Sequence, residues 1–249
     1  MPSWLITGAS RGIGLGIVEK LLSEQENFVI AAARNPSTAK ELQALTDKYP
    51  KDRLFIVKLD VQSEESVAEA VKEITPLLPN GLDYVINNAG VHIQPMTSFA
   101  EINIKELIEE VIFNTTAPII VTRPLLPLIA KSEKKKIIII TSVLGSIELG
   151  GAFVGLSNAY SISKAALNML GRKWGAELKP SGITVALIHP GWVQTEIGDA
   201  ISDWMHKYAP DVPHIKPAES AAGVVKVSKD VTLESTTSYW NFDGTNYPW

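Results

Sequence analysis

Cysteine is absent from this sequence, and with it go disulfides, zinc-thiolate sites and thiol catalysis. The lack of disulfides is compatible with a reducing compartment. Near Met1 there is no charged segment followed by an apolar one, so no signal peptide is expected. The longest apolar runs are shorter than a membrane span requires, and the expectation is a cytoplasmic protein with no membrane partner. Neither sign of charge dominates. With 23 Lys+Arg against 27 Asp+Glu the formal net charge is -4, which argues against nucleic acid as a partner. The one basic run, Lys131 to Lys136, reads as a solvated loop ahead of a buried strand. No repeat, low-complexity tract or Pro/Gly/Ser-rich linker marks a boundary, so residues 1–249 are expected to form one domain. No metal site is expected.

What the sequence does contain is an alternation of short apolar runs with amphipathic stretches. Strands are read at Trp4–Ile6, Phe28–Ala33, Leu54–Leu59, Leu82–Ile86, Ile137–Ile140 and Ile183–Ile188, with a last edge strand at Ser238–Phe242. Helical stretches are read at Ile13–Glu24, Ser37–Lys48, Ser63–Leu78, Tyr160–Leu178 and Ala218–Lys229, with Ser63 as an N-cap. A long helical region, Ile104–Ala130, should be interrupted near Pro118 and Pro124. The run of four isoleucines shows no alternation, as expected of a strand covered on both faces. This order predicts an α/β fold with a doubly wound, mostly parallel sheet and helices on both faces. Ligands bind such sheets at the carboxyl ends of the strands, and every motif below falls at such an end.

Thr7-Gly8-Ala9-Ser10-Arg11-Gly12-Ile13-Gly14 follows the first strand and opens the first helix. Glycines let this turn take positive φ and approach a pyrophosphate, and the helix N-terminus offers free N–H groups to the anion. Cofactor selectivity is read at the end of the second strand. An acid there would bond a ribose 2′-hydroxyl and repel a 2′-phosphate; this sequence has Ala33 followed by Arg34. With Arg11 as a second guanidinium, the pair suits a phosphate monoester, so NADP(H) is expected over NAD(H). Asp60, ahead of Val61, either accepts a bond from an adenine amino group or caps the next helix.

At the other end, Ser142 closes the fifth strand, and Tyr160 and Lys164 stand four residues apart. On a helix this spacing puts both on one face, about 6 Å apart along the axis. A free phenol titrates near 10, too high for easy proton exchange at neutral pH; a neighbouring ammonium and an oxidised nicotinamide would lower it. Tyr160 is then the general acid for reduction and the base for oxidation. Ser142 donates to the carbonyl oxygen as it gains charge, and Asn114 holds a water that links Lys164 to solvent. Any one of these residues alone is commonly a cap or a solvated side chain; their convergence carries the argument.

Thr7 to Gly14, Asp60, Asn87 to Gly90, Asn114, Ser142, Tyr160, Lys164 and Pro190-Gly191 occur in the order and spacing of the short-chain dehydrogenase/reductase family, which the sequence resembles along nearly its whole length. More narrowly, Thr116-Ala117-Pro118, His189-Pro190-Gly191-Trp192-Val193 and Asp243 to Trp249 resemble sniffer-type carbonyl reductases and the fungal ketoreductases similar to norsolorinic acid ketoreductase. The resemblance implies a Rossmann-type fold and a catalytic tetrad of Asn114, Ser142, Tyr160 and Lys164. It also implies a cofactor site of Gly8, Ser10, Arg11, Gly12, Ile13, Gly14, Arg34, Asp60, Val61, Asn88, Ala89, Gly90, Tyr160, Lys164, Pro190, Gly191, Val193 and Thr195. Within that site Lys164 would bond the nicotinamide ribose, and Val193 and Thr195 would lie nearest the carboxamide. A homodimer or homotetramer follows by the same analogy. The gap of three residues between Tyr160 and Lys164 favours carbonyl over double-bond reduction.

The substrate lid is expected at about 192–217, where Ile197, Ile201, Trp204, Met205 and Tyr208 occur, with Trp192, Val143, Leu144 and Ile147 as further walls. An apolar, partly aromatic lining suggests a small hydrophobic aldehyde, ketone or quinone. His92, His206 and His214 read as surface residues. Three functions are therefore carried forward: an NADPH-dependent carbonyl reductase, a biosynthetic ketoreductase acting on a polyketide or carrier-bound acyl group, and a non-catalytic NADP(H)-binding sensor.

Overall fold

The computed structural model describes residues 1–249. Its strands are β1 (Ser3–Thr7), β2 (Phe28–Ala33), β3 (Leu54–Lys58), β4 (Tyr84–Asn87), β5 (Lys136–Ile140), β6 (Thr184–His189), β7 (Trp192–Val193), β8 (His214–Ile215) and β9 (Tyr239–Asn241). Its helices are α1 (Gly12–Leu22), α2 (Lys40–Ala44), α3 (Glu64–Ile74), α4 (Ile104–Lys131), α5 (Asn158–Leu178), α6 (Glu196–Asp199), α7 (Ser202–Tyr208) and α8 (Pro217–Asp230). Seven strands form one sheet in the order β3-β2-β1-β4-β5-β6-β9, every pairing parallel. The chain runs outward from β1 to β3, then returns to the other side of β1 with β4. That reversal opens a crevice at the carboxyl ends of β1 and β4.

The pleat explains the unbroken isoleucine run. Ile138 and Ile140 enter the core cluster under α1, α2 and α8, whereas Ile137 and Ile139 enter the cluster under α3, α4 and α5. Trp4 and Ile6 of β1 likewise face one side and Leu5 the other. Each such fully buried side chain contributes about 2 kcal/mol, so both faces of the sheet need their helices.

Several elements depart from the sequence reading, each for a local reason. The stretch Ser37–Lys48 is not one helix but the five residues of α2 between two 3-10 turns, of which only Ala39, Leu42 and Leu45 are buried. α4 is continuous over 28 residues although Pro118, Pro124 and Pro127 lie inside it. Each proline removes one N–H, not the whole ladder, and Pro124 and Pro127 stand on the exposed side. By length and a mean hydropathy of 1.3 over its most apolar window, α4 reaches the range of a membrane-crossing helix, beyond what counting apolar runs suggested. Its Ala117, Val121, Leu125 and Ile129 stripe is nevertheless packed into the core beside the sheet. Finally, Lys136 is the first residue of β5 rather than part of a solvated loop. It is buried, and its ammonium donates to the carbonyls of Ser228 and Lys229 at 3.2 and 2.7 Å, closing the C-terminus of α8.

Candidate active site

The turn from β1 to α1 is built for close approach. Gly8 and Gly12 take positive φ, 65° and 57°. A Cβ on Gly14 would lie 2.2 Å from the Gly8 carbonyl oxygen, so no side chain fits there. No side chain caps α1, which leaves its first-turn N–H groups free for an anion. Asn88 fastens the turn from below. Its backbone N–H and that of Ala89 donate to Thr7 Oγ1 at 3.0 and 3.1 Å, and its side-chain amide donates to the Thr7 carbonyl at 2.9 Å. Asn88 therefore shapes the glycine turn, while a Cβ on Gly90 would lie 3.4 Å from Asn114 Oδ1 and 3.6 Å from Lys164 Nζ.

Beside this turn, Ser10, Arg11, Arg34, Asn35, Thr38, Lys40 and Glu41 line a cleft of about 510 Å³. Three cations around one exposed cleft fit a phosphate monoester. Lys40 was missed in the sequence because it opens a helix that the pattern placed too early. Arg11 is also paired with Glu196 of α6 at 2.6 Å, which ties the lid to the glycine turn. Ile13 is half-buried on α1, and Val61 is buried. Of the two roles left open for Asp60, capping is excluded. Ser63 caps α3 by accepting from the Ser66 N–H at 3.1 Å, and the Asp60 carboxylate accepts from the Gln62 N–H, outside the helix.

Ser142 follows β5 into a short 3-10 turn, and its hydroxyl oxygen accepts from the Leu144 N–H at 3.3 Å. The turn is held from three sides. Val143 N–H donates to His189 Nδ1 at 3.2 Å, Asn168 donates to the Gly145 carbonyl at 3.1 Å, and Thr141 donates to Asn168 at 2.6 Å. A Cβ on Gly145 would lie 2.7 Å from the Lys164 carbonyl carbon, so this turn packs directly on α5. That helix starts at Asn158, two residues earlier than the sequence suggested, from a left-handed Ser157. Tyr160 therefore sits in its first turn. Lys164 Nζ lies 5.3 Å from the Tyr160 ring centroid and donates to the Ile140 carbonyl at 3.1 Å.

Burial dominates the electrostatics here. It pushes the Tyr160 phenol above its usual value, and Glu110 adds to the rise. It pulls Lys164 down to about 8, with Glu110 opposing. The expectation that Lys164 lowers the Tyr160 phenol is thus not met by the chain alone. Asn114 does not aim its side chain at Lys164 either. Its amide donates to the Val91 carbonyl at 3.0 Å and to Ser163 Oγ at 2.8 Å, and its oxygen accepts from the Val91 N–H. What faces no helical donor is its backbone carbonyl, because the residue four places on, Pro118, has no N–H.

Tyr160, Leu144, Leu156, Trp192, Trp204 and Met205 form one small apolar cluster, with Val143, Phe153 and Ile201 packed against it. This brings together the predicted walls Val143, Leu144, Trp192 and Trp204. Ile147 is 80% exposed and is not among them. Phe153 and Leu156, from the loop before α5, were missed. The lid folds as β7, α6, α7 and β8. Pro190 accepts a bond from Ser220, Gly191 takes φ 88°, Val193 pairs with Ile215, and Thr195 caps α6 against Gly12. Of the histidines read as surface residues, only His206 is exposed. His214 stacks on Trp192 with ring centroids 4.0 Å apart. His92 lies 4.4 Å from the Tyr160 ring with both ring nitrogens enclosed, and burial holds its imidazole down to about 4. Glu110, fully buried on α4, was also missed.

Comparison with known proteins agrees with this geometry. The short chain dehydrogenase family profile matches residues 3–206. An uncharacterized oxidoreductase of Schizosaccharomyces pombe is 32% identical over 255 residues, covering 98% of this chain and 97% of its own. An NADPH-bound carbonyl reductase from chicken fatty liver superposes with a TM-score of 0.87 at 32% identity, covering 100% of this chain and 99% of its own. Carbonyl reductase Sniffer of D. melanogaster superposes with a TM-score of 0.88 at 28% identity over the full length of both chains.

Proposed function

This chain belongs to the short-chain dehydrogenase/reductase family of oxidoreductases, and within it we propose that it is an NADP(H)-dependent carbonyl reductase acting on a small hydrophobic aldehyde, ketone or quinone. The observation that carries this reading is Tyr160, buried against Lys164 within one apolar cluster that also holds Leu144, two residues past Ser142. Preference for NADP(H) rests on Arg11, Arg34 and Lys40 around one cleft with no acid at the end of β2.

When bound, the cofactor supplies the hydride. The chain does the rest. Leu144, Trp192 and Trp204 exclude water and hold the substrate's apolar body. Ser142 orients the carbonyl oxygen and donates to it as charge develops. Tyr160 delivers a proton to that oxygen, and a phenol raised by burial remains protonated at neutral pH, as reduction requires. Lys164 stabilises the phenolate left behind, and the free carbonyl of Asn114 gives a water a place from which to return the proton. The enclosed imidazole of His92 forms the wall next to the phenol.

The test is nicotinamide absorbance over time with NADPH or NADH across aromatic aldehydes, ketones and quinones, with Tyr160→Phe beside wild type. Turnover with NADPH that the variant loses supports the reading. Binding of NADPH without reduction of any carbonyl would favour a sensor, and a preference for NADH would overturn the role given to the three cations.

Self-association is part of the same proposal. Ile104, Ile108 and Ile112 recur one turn apart on α4 and are 62%, 52% and 49% exposed, and α5 beside it leaves Ile162 and Met169 exposed. Such an apolar face suits a homodimer or homotetramer. Farther along the same helix, Ala117, Val121 and Leu125 are packed inside. Light scattering on the purified chain reads the mass directly.

A further inference from the structure

Glu110 is completely buried, and no donor meets its carboxylate oxygens in good hydrogen-bond geometry; the backbone N–H groups of Ile93 and Gln94 are the only polar groups the preceding loop turns toward it. A buried carboxyl so poorly partnered is among the less favourable arrangements a fold can hold. Its position is informative. It stands one helical turn before Asn114 on the same face of α4. Asn114 in turn clamps Val91 and donates to Ser163, next to Lys164 in the chain, and a Cβ on Gly90 would lie 3.4 Å from Asn114 Oδ1 and 3.6 Å from Lys164 Nζ. Glu110 therefore sits behind the catalytic groups.

We propose that Glu110 is a positioning residue that sets the charge state of the Tyr160–Lys164 pair, and so biases the site toward carbonyl reduction over alcohol oxidation. This rests on the reductase reading given above. The titratable groups around the carboxyl are Lys164 and Tyr160 from α5 and Glu106 from its own helix, while the segment before α4 contributes only the backbone N–H groups of Ile93 and Gln94. His92 faces Lys164 and Tyr160 from the other side and is held neutral. As a carboxylate, Glu110 favours the ammonium of Lys164 and disfavours the phenolate of Tyr160. Both effects preserve the proton-loaded pair that reduction needs, and both oppose the phenolate that oxidation needs.

The sign for stability is opposite. Burial raises the Glu110 carboxyl from 4.5 to about 7, with the two backbone N–H groups and Lys164 holding it back. A carboxyl raised by folding favours the native state below its unfolded value, and that contribution is lost as pH rises through about 7. At pH 8 and above the residue thus works against the fold, and a role in the site accounts for its presence.

The experiment compares wild type, Glu110→Gln and the control Glu106→Gln in both directions, with para-nitrobenzaldehyde and NADPH or para-nitrobenzyl alcohol and NADP+, from pH 5 to pH 10. In Glu110→Gln the basic limb of reduction and the acidic limb of oxidation should both move down by roughly one pH unit. At pH 8 to 9 reduction then slows several-fold while oxidation quickens, whereas Glu106→Gln follows wild type. A residue that merely supports the fold would lower both rates together, and that result, or unshifted limbs, overturns the proposal. Should Glu110→Gln fold poorly, Glu110→Asp, which withdraws the charge, should move the limbs the same way by less. A readout without turnover is the titration of isotope-labelled lysine Cε in the apoprotein, with the Lys164 signal identified by Lys164→Met. Its midpoint should fall in Glu110→Gln. If no carbonyl is reduced but this midpoint moves, only the reductase reading has failed; if the midpoint stays, the inference has failed.

Discussion

Under the proposed function, the two ends of the crevice would hold their ligands by different means. At the cofactor end the work falls to backbone N–H groups and to cations in water: the Arg11 side chain is 77% exposed and its partner Glu196 is 74% exposed. At the catalytic end it falls to enclosed side chains, with Asn114 1%, Lys164 4% and Tyr160 8% exposed. Exposed charges are screened and replaceable, worth about 0–1 kcal/mol per pair. Enclosed polar groups are coupled to their neighbours, and each one left unpartnered costs about 1–3 kcal/mol. The cofactor end should therefore tolerate substitution in graded steps, and the catalytic end should fail abruptly.

The largest expected effect tests that abruptness. Tyr160→Phe removes one oxygen from the apolar cluster and leaves its packing, so kcat for reduction should fall by about a thousandfold or more. NADPH affinity, followed by nicotinamide fluorescence, should stay within about threefold of wild type. A comparable loss of affinity would mean that the two ends are not separable.

Next in size is Gly145→Ala. The new Cβ would meet the backbone of Lys164 at 2.7 Å, and backbone cannot yield as a flexible side chain would. The Ser142 turn must shift away from α5, at a cost of about 1–3 kcal/mol in urea denaturation. With the donor and the phenol no longer in register, kcat should drop by roughly tenfold to a hundredfold. An unchanged kcat with reduced stability would show that Ser142 is positioned by His189 and Asn168 alone.

How far the sequence reveals this contrast follows from the same physics. The glycine turn, Ala33-Arg34 and the Tyr160/Lys164 spacing are local patterns, and each was legible because it needs only its own element to form. The sheet was legible from its apolar strands, since β2 must be buried on both faces wherever it lies. What escaped was set by packing between distant elements. Glu110 reads as one more acid in Glu106, Glu109 and Glu110, yet the spacing Glu110, Asn114, Ala117, Val121, Leu125 describes a single buried stripe. That stripe was the available signal. His92 could not be placed, because a loop after β4 has no periodicity to fix which way its side chains turn. Nor could the continuity of α4, since tertiary packing overrode three prolines.

Charge at the cofactor end should respond in smaller, additive steps. Arg34→Ala and Arg11→Ala should each reduce the preference for NADPH over NADH by about tenfold at low salt, with little change in turnover once cofactor saturates. Lys40→Ala should act in the same direction. The losses should shrink as salt is raised, because these groups face water. A salt-independent loss would place the cations in a more enclosed site than this cleft and would weaken the contrast between the two ends.

The smallest effect sharpens the comparison most, because it concerns the contact that joins the two ends. Arg11 is paired with Glu196 on the lid, so a 2′-phosphate would have to compete with that carboxylate for the guanidinium. Glu196→Gln removes the competitor and leaves the shape. An exposed pair of this kind contributes at most about 1 kcal/mol, so NADPH should bind up to roughly fivefold more tightly at low salt, while NADH, which has no 2′-phosphate, should bind as before. Equal tightening of both cofactors would instead mean that the pair acts by holding the lid against the glycine turn, where a Cβ on Gly12 would lie 3.3 Å from the Thr195 methyl. In that case the charge at the exposed end would govern access to the enclosed one, and the graded behaviour of the cofactor end would extend into the catalytic pocket.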